Sequence, residues 1–417
     1  MDPTDPTPAP DPASVPATPD RPTPEAVRRM LAGVMDPELN ASIVDLGMVD
    51  DVRIGDNGLV TVVVALTTAG CPLRHQIKTD VQSKVSGLPG VATVKVEYGE
   101  MTAEQKARAM DRARFNAREH AEPTEVAPTT RVIAVASGKG GVGKSSVTVN
   151  LAAALAARGL TVGILDADIW GFSVPRMLGA EGRLSGADGK IHPNEIPVEG
   201  ADGTPTGLLK VVSMGFLVDD ETSALMWRGL ILTKAVEQFL KDVRWGDLDY
   251  LLVDMPPGTG DIQMGLARML PQAEMLVVTT PAIGAQKVAT RVADMARRSY
   301  MKVIGVVENM HAFVTPSGER FAVFGEGGGA ALADEVGVPL VAQVPLEPDV
   351  SRGGDAGRPV ALSDPQSPAG SAFHTLAARV VEDLLPPVEM SGCTARILEL
   401  AKANLTASPG PSTPPNR

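Results

Sequence analysis

Aromatic residues make up only 3% of this 417-residue chain, so any core must be built from Val, Leu, Ile, Ala and Met. Hydrophobic residues still reach 44%, enough for globular packing, and the length predicts two to three domains at ~150 residues each. Cysteine is nearly missing. Cys71 and Cys393 cannot form a disulfide framework and suit a reducing cytoplasm. No run approaches the ~18 apolar residues needed to span a bilayer. The opening Met1-Asp2-Pro3-Thr4-Asp5-Pro6 lacks the basic and apolar regions of a signal peptide, so a cytoplasmic protein is expected. Positive charge is also short: 38 Lys and Arg face 50 Asp and Glu, a net charge of −12. That balance argues against holding nucleic acid or an anionic membrane by bulk electrostatics. The five histidines are scattered, and neither zinc spacing nor a Gly-x-Ser-x-Gly hydrolase motif is present.

Proline is plentiful at the ends. Nine prolines between Pro3 and Pro24 predict a disordered tail over 1–22, and Pro386-Pro387 opens a second tail over 386–417. Residues 23–100 read as a small α+β domain. A helix begins at Pro24, strands cover Val49–Ile54 and Leu59–Leu66 around a hairpin signal at Asp56-Asn57-Gly58, a second helix opens at Pro72, and a third strand covers Val91–Val96. Residues 101–129 read as a charged helical linker. From 130 to 385, short apolar runs alternate with helical patterns. The runs Arg131–Ala136, Thr161–Asp166, Tyr250–Asp254, Ala273–Thr279, Lys302–Val307 and Leu340–Val344 have the composition of strands buried on both faces. Alternation of this kind predicts a doubly wound parallel-sheet α/β domain. The Gly-, Asp- and Pro-rich stretch Glu181–Thr206 reads as an insertion in loops or a hairpin.

The first strand–helix junction carries the chemistry. Gly138-Lys139-Gly140-Gly141-Val142-Gly143-Lys144-Ser145-Ser146 satisfies the phosphate-loop pattern Gly-x4-Gly-Lys-Ser/Thr after a buried strand and at the start of a helix. Glycines let the backbone wrap a phosphate with its N–H groups, and the helix N-terminus adds partial positive charge. Lys144 can neutralise the β and γ oxygens of ATP, and the Ser145 hydroxyl can ligate Mg²⁺. Asp254, ending a buried strand in Asp254-Met255-Pro256-Pro257-Gly258-Thr259-Gly260-Asp261, reads as the carboxylate that holds a water of Mg²⁺, and Gly258 as an N–H donor to the γ-phosphate. Asp166 and Asp168 end the second strand at the same sheet edge. Asp166 is assigned to the metal shell.

The early lysine in Gly-Lys-Gly-Gly-Val-Gly-Lys-Ser resembles the deviant Walker A class that includes MinD, ParA and the nitrogenase iron protein. That resemblance implies a nucleotide-bridged homodimer in which Lys139 reaches the partner's nucleotide. It also implies that Asp168, 24 residues beyond Lys144, orients the attacking water. The fuller set is narrower: Asp166-Ala167-Asp168-Ile169-Trp170-Gly171, Trp227-Arg228-Gly229, Asp254-Met255-Pro256-Pro257, Glu308-Asn309-Met310 and Phe324-Gly325-Glu326-Gly327-Gly328-Gly329 together resemble the Mrp/ApbC iron–sulfur cluster carrier ATPases. The small domain resembles the iron–sulfur assembly domain found ahead of many bacterial members, through Asp36-Pro37-Glu38, Asp45-Leu46-Gly47 and Thr67-Thr68-Ala69-Gly70-Cys71-Pro72. The resemblance implies a cytoplasmic, Mg²⁺-dependent ATP hydrolase that gates cluster binding or transfer to apoprotein clients. It also implies that Asn309 reads adenine.

One departure bears on the cluster. Members that bridge a cluster place Cys-x-x-Cys between the Glu-Asn-Met and Phe-Gly-x-Gly-Gly segments, and here residues 311–320 contain no cysteine. Thiolates are the usual cluster ligands, which leaves Cys71 as the candidate iron–sulfur ligand. Its place before Pro72 fits either a helix-capped reactive thiolate or a small buried hydrophobe. Cys393 reads as incidental. Two other functions compete: a ParA/MinD-like positioning ATPase, which the net charge and the assembly domain disfavour, and an ATP-binding scaffold without a cluster of its own.

Overall fold

In the computed structural model, two compact units divide the chain, Met1–His120 and Ala121–Arg417. The structure describes residues 21–388 except 37–40, 67–73, 120, 169–170, 181, 188, 200–203, 218–228, 259–260, 300 and 316. Both Pro-rich tails, apart from 21–22 and 386–388, both cysteines, Pro37-Glu38, Trp227-Arg228 and Thr259-Gly260 lie outside the described residues.

In the first unit, the helix Pro24–Leu31 is capped by Thr23, whose Oγ1 accepts from the Ala26 N–H at 3.2 Å, and buries Val27 and Leu31. Strands Val49–Ile54 and Leu59–Leu66 pair antiparallel across Gly55–Gly58, as the Asp-Asn-Gly signal predicts. The helix Arg74–Val85 buries Ile77, Val81 and Val85, one face at four-residue spacing. The third strand runs Thr93–Glu100, later than expected, and pairs parallel with Leu59–Leu66. The helix Ala103–Glu119, expected as part of a linker, groups with this unit. Its approach is fixed by the Met101 N–H on the Leu66 carbonyl and by Gln105 Nε2 donating to Asp50 Oδ1 at 3.0 Å.

The second unit is built on an eight-stranded sheet. Its main elements are β1 (Arg131–Ser137), α1 (Lys144–Ala156), β2 (Thr161–Asp166), β3 (Asn194–Glu199), β4 (Pro205–Ser213), α2 (Gly229–Asp242), β5 (Tyr250–Asp254), α3 (Asp261–Met269), β6 (Glu274–Thr279), α4 (Ile283–Arg298), β7 (Lys302–Glu308), β8 (Phe313–Val314), β9 (Arg320–Phe321), α5 (Gly328–Val336), β10 (Leu340–Gln343) and α6 (Pro368–Arg379). The sheet order is β3-β4-β2-β5-β1-β6-β7-β10, parallel except for β3 at one edge. The small β8–β9 pair stands apart as an antiparallel hairpin.

Each central strand is apolar throughout because successive side chains enter opposite cores. Val132, Ala134 and Ala136 of β1 join one core with α2, α3, α4 and α5, whereas Ile133 and Val135 join the other with α1 and α6. Aliphatic residues dominate both cores, joined in the first by methionines such as Met255 and Met275, and Trp245, Tyr250 and Phe373 are the largest fully buried side chains. The stretch Glu181–Thr206 holds the hairpin that was one of its two expected forms, and a sheet strand besides. It contains a hairpin, Ser185–Ala187 with Lys190–His192, and then β3, which pairs with β4. β4 itself extends the parallel sheet through its register with β2. Its Pro205-Thr206-Gly207 opening and Lys210 hide it in the sequence.

Candidate functional site

β1 ends at Ser137 in the middle of the sheet, flanked by β5 and β6, and the phosphate-loop residues follow at the carboxyl edge of the strands. Ligands bind at that edge in open α/β sheets. Gly143 caps α1 with φ of 78°, a left-handed conformation that glycine adopts without strain, and a Cβ there would lie 2.2 Å from Asn309 Nδ2. Lys139, Gly140 and Gly141 are exposed, whereas Val142 is buried; Ser145 and Ser146 at the start of α1 are half-buried. The Ser137 hydroxyl donates to the Lys139 carbonyl at 3.1 Å, which braces the start of the loop.

Lys144 is only 6% exposed. Its Nζ meets Asp254 Oδ1 at 2.7 Å and Asp168 Oδ2 at 3.8 Å, and donates to Ser145 Oγ at 3.4 Å. Asp254, at the end of β5, also accepts from Ser145 Oγ at 2.6 Å and Thr148 Oγ1 at 2.8 Å. One buried carboxylate thus receives three donors from the first five residues of α1, each at hydrogen-bond distance. Thr148 was not singled out from the sequence. Its signal was available, four residues after Lys144 and so on the same helix face.

Asp166 lies opposite Asp254 in the β2–β5 register. Its carboxylate accepts from the Asp168 N–H at 3.1 Å, Ser213 Oγ at 3.1 Å and the Val174 N–H at 3.4 Å. These neutral donors leave burial dominant, and burial together with the nearby Asp254 charge pushes the Asp166 carboxyl up to about 7, against the pull of Lys144. Burial also raises Asp168, with Lys144 pulling it down and Asp254 pushing it up. Ser213 arrives on β4, the strand the sequence concealed.

Two residues expected at the site make other contacts. The Gly258 N–H donates to the Ser137 carbonyl at 3.0 Å, at the β1–β5 junction. Asp166 is held by Asp168, Ser213 and Val174, and a metal role for it would compete with those three contacts. Asn309 is brought to the loop and is buried. One of its amide N–H groups donates to the Val142 carbonyl at 2.9 Å, leaving a second N–H and the amide carbonyl for any ligand. Cys71, the candidate cluster ligand, lies outside the described residues.

The donor set is hard oxygen: the Ser145 hydroxyl and the Asp254 and Asp168 carboxylates beside one lysine. Such a set suits Mg²⁺, which keeps several waters and takes phosphate oxygens, better than a softer metal. Among the described residues no group of three or more His, Cys, Asp or Glu is placed to hold a metal ion.

Comparison with known proteins bears on both units. Residues 128–381 match a family model described as NUBPL iron-transfer P-loop NTPase, and residues 24–97 match one described as iron-sulfur cluster assembly protein. The chain is 44% identical over 359 residues to a Mycobacterium tuberculosis protein named iron-sulfur cluster carrier protein, covering 84% of this chain and 91% of that one. A protein of the same name from Synechocystis is 42% identical, with 86% and 97% covered. A solved nucleotide-binding protein from Archaeoglobus fulgidus in complex with ADP is 35% identical with a TM-score of 0.47, covering 58% of this chain and 91% of that one. The phosphate loop, the acids around it and matches spanning most of the chain lead to one conclusion: this protein belongs to the iron-transfer P-loop NTPase family, with an iron–sulfur assembly domain at its N-terminal side.

Proposed function

We propose that this protein binds MgATP at the 138–146 loop, hydrolyses it, and uses the nucleotide cycle to gate carriage of an iron–sulfur cluster to apoprotein clients. The observation that carries the reading is the buried Lys144–Asp254 pair with Ser145 and Thr148 on the same carboxylate. It holds the lysine and the metal-binding hydroxyl at the mouth of a helix N-terminus, where phosphate is favoured. The names of the relatives supply the cargo.

The loop N–H groups and Lys144 bind the phosphates, and Asn309 meets the base with its remaining amide groups. Ser145 and, through water, Asp254 would hold Mg²⁺, which would supply charge neutralisation for the phosphates. Asp168, 3.8 Å from the Lys144 Nζ and 14% exposed at its side chain, orients the water that attacks the γ-phosphorus. The new P–O bond forms as the bond to ADP breaks, and the water proton passes to phosphate or solvent. Exposed Lys139 supplies charge to the other protomer's nucleotide in a homodimer, and protein-bound thiolate from Cys71 contributes to a transient cluster site. One such thiol per chain gives two in a dimer, short of the four usual for a cluster, so a client or small thiol completes the set. The compartment proposed is the cytoplasm. No described helix is long and apolar enough to cross a membrane.

The test has two parts. Lys144→Ala should abolish MgATP binding by calorimetry, and Asp168→Ala should keep affinity while lowering turnover. Normal binding and turnover in Lys144→Ala would overturn the loop assignment. Anaerobic reconstitution of the full chain with and without Cys71→Ser, with iron and sulfide counted, tests the cargo. Uptake unchanged by the substitution would remove Cys71, and no uptake in the parent would favour a nucleotide-binding scaffold.

A further inference from the structure

Glu308 ends β7 completely buried, beside the nucleotide loop but outside its motif. Its Oε2 accepts from the Gly329 N–H at 2.6 Å, and its Oε1 accepts from Gln343 Nε2 at 2.9 Å and His311 Nδ1 at 2.5 Å. His311 Nε2 sits 3.0 Å from Arg320 Nη2. Guanidinium only donates, so Nε2 accepts and Nδ1 donates to Glu308, while Gln343 Nε2, 3.1 Å from Nδ1, gives its own N–H to the same carboxylate oxygen. Arg320 lies on β9, where it also pairs with Glu326 at 2.5 Å. A continuous polar chain therefore joins a buried acid to the β8–β9 hairpin.

The same short segment grips the phosphate loop from its other side. Asn309 donates to the Val142 carbonyl, and the Met310 Cε lies 3.4 Å from where a Cβ on Gly143 would be. Met310 has φ of 57°, the one non-glycine residue with positive φ among the described residues. Such backbone costs ~1–3 kcal/mol and persists only where its surroundings fix it. Here the fixing contacts are Asn309 N–H on Thr279, His311 N–H on Val344, and the clamp on Glu308. The hairpin beyond carries exposed Val314 and Phe321, with exposed Val323 and Phe324 following. In a chain this poor in aromatics, three of its eight phenylalanines fall between residues 313 and 324.

We infer that Glu308 is a positioning residue: it holds the strained Asn309–Met310 turn against the phosphate loop and, through His311 and Arg320, ties the position of the β8–β9 hairpin to nucleotide occupancy. The hairpin occupies the interval without cysteines, so what the nucleotide moves there is an apolar, aromatic surface. The inference rests on the proposed nucleotide site.

Glu308→Gln keeps the shape and can still accept from Gly329, but it offers His311 no carboxylate and breaks the chain to Arg320. Fluorescent ADP titration and steady-state ATP hydrolysis on the full-length protein provide the readout. The expected result is KM and ADP affinity weakened roughly 5- to 10-fold, the lower part of the usual coupling range, with kcat within about twofold. Hydrogen exchange of residues 311–324 should slow on ADP addition in the parent and lose that response in Glu308→Gln. Arg320→Gln, an exposed substitution that guards against misfolding of the buried variant, should lose the hairpin response while keeping ADP affinity within about twofold. Parent protein that binds ADP without any change in hairpin exchange overturns the inference, as does Glu308→Gln with parental affinity. Parent protein that binds no ADP overturns the nucleotide site itself, a separate and recognisable failure.

Discussion

Asp254 on β5 and Glu308 on β7 are both buried carboxylates at the carboxyl edge of one sheet, yet their neighbours come from different places. Asp254 is satisfied by Lys144, Ser145 and Thr148, all within the first five residues of α1. Glu308 gathers the Gly329 N–H from α5, Gln343 from β10 and His311 from the turn before β8. The first arrangement is compact and includes a full positive charge. The second is spread over three segments and reaches a charge only through His311. A site assembled from one helix start can be strong and local; one assembled from several segments reports their relative positions.

Removing the acid should expose the first arrangement most strongly. Asp254→Ala leaves the Lys144 ammonium buried with only the more distant Asp168 beside it, and should destabilise the protein by about 3–5 kcal/mol in urea unfolding. A loss under about 1 kcal/mol would mean that the pair contributes nothing once its desolvation is counted.

Crowding probes the second arrangement. A Cβ on Gly329 would lie 2.6 Å from the Glu308 Cβ and 2.8 Å from its Oε2. Gly329→Ala should therefore cost about 1–3 kcal/mol, the range for overpacking, and should loosen the hairpin in hydrogen exchange. Unchanged thermal stability would show that α5 can shift freely from β7.

Asp166 is a third case, hydrogen-bonded by neutral donors alone, with Lys144 acting on it only through space. Its folded carboxyl is raised to about 7 from 3.8, so between those values the folded protein binds a proton that the unfolded chain has released. Its contribution is present at low pH and is lost as pH rises toward about 7. Asp166→Asn should show a smaller fall in stability than the parent between pH 4 and pH 7 by chemical denaturation. Parallel pH profiles would show that the Asp166 carboxyl does not titrate in that window.

The smallest effect on folding belongs to Lys139, which is exposed. Lys139→Ala should leave the unfolding midpoint unchanged, since exposed sites usually shift stability by less than about 0.5 kcal/mol. Sedimentation with a slowly hydrolysed ATP analogue should nevertheless show lost dimerisation. A variant that still dimerises and hydrolyses at the parental rate would remove its role across the interface.

Most of the sheet was legible because buried parallel strands are nearly continuous apolar runs: Arg131–Ala136 and Tyr250–Asp254 read that way, and the first strand runs one residue further, to Ser137. β4 was not, because it starts on Pro205 and carries Lys210, whose Nζ donates to the Trp245 carbonyl at 2.9 Å. That partner is remote in sequence, so the polar residue looked like loop. At the site, Lys144, Ser145 and Asp254 were legible by type and spacing. Ser213 was not, since it belongs to no local chemical pattern, and Glu308 was read only as part of the Glu308-Asn309-Met310 motif, with no role of its own.

By itself the sequence determined the phosphate loop, its lysine and hydroxyl, the acids at the strand ends and the absence of cysteine between 311 and 320. These are properties of residue type at short spacing, where chain geometry leaves little freedom. Tertiary structure alone decided that Gly258 turns its N–H to Ser137 and that Asn309 gives an N–H to Val142. It also decided that Asp166 lies among neutral donors while Asp254 faces the lysine. The reason is distance along the chain: Val142 and Asn309 are 167 residues apart, and Ser145 and Asp254 are 109 apart. Which of several nearby donors a buried carboxylate receives depends on strand order and register, and those are set only when the whole sheet closes around its two cores.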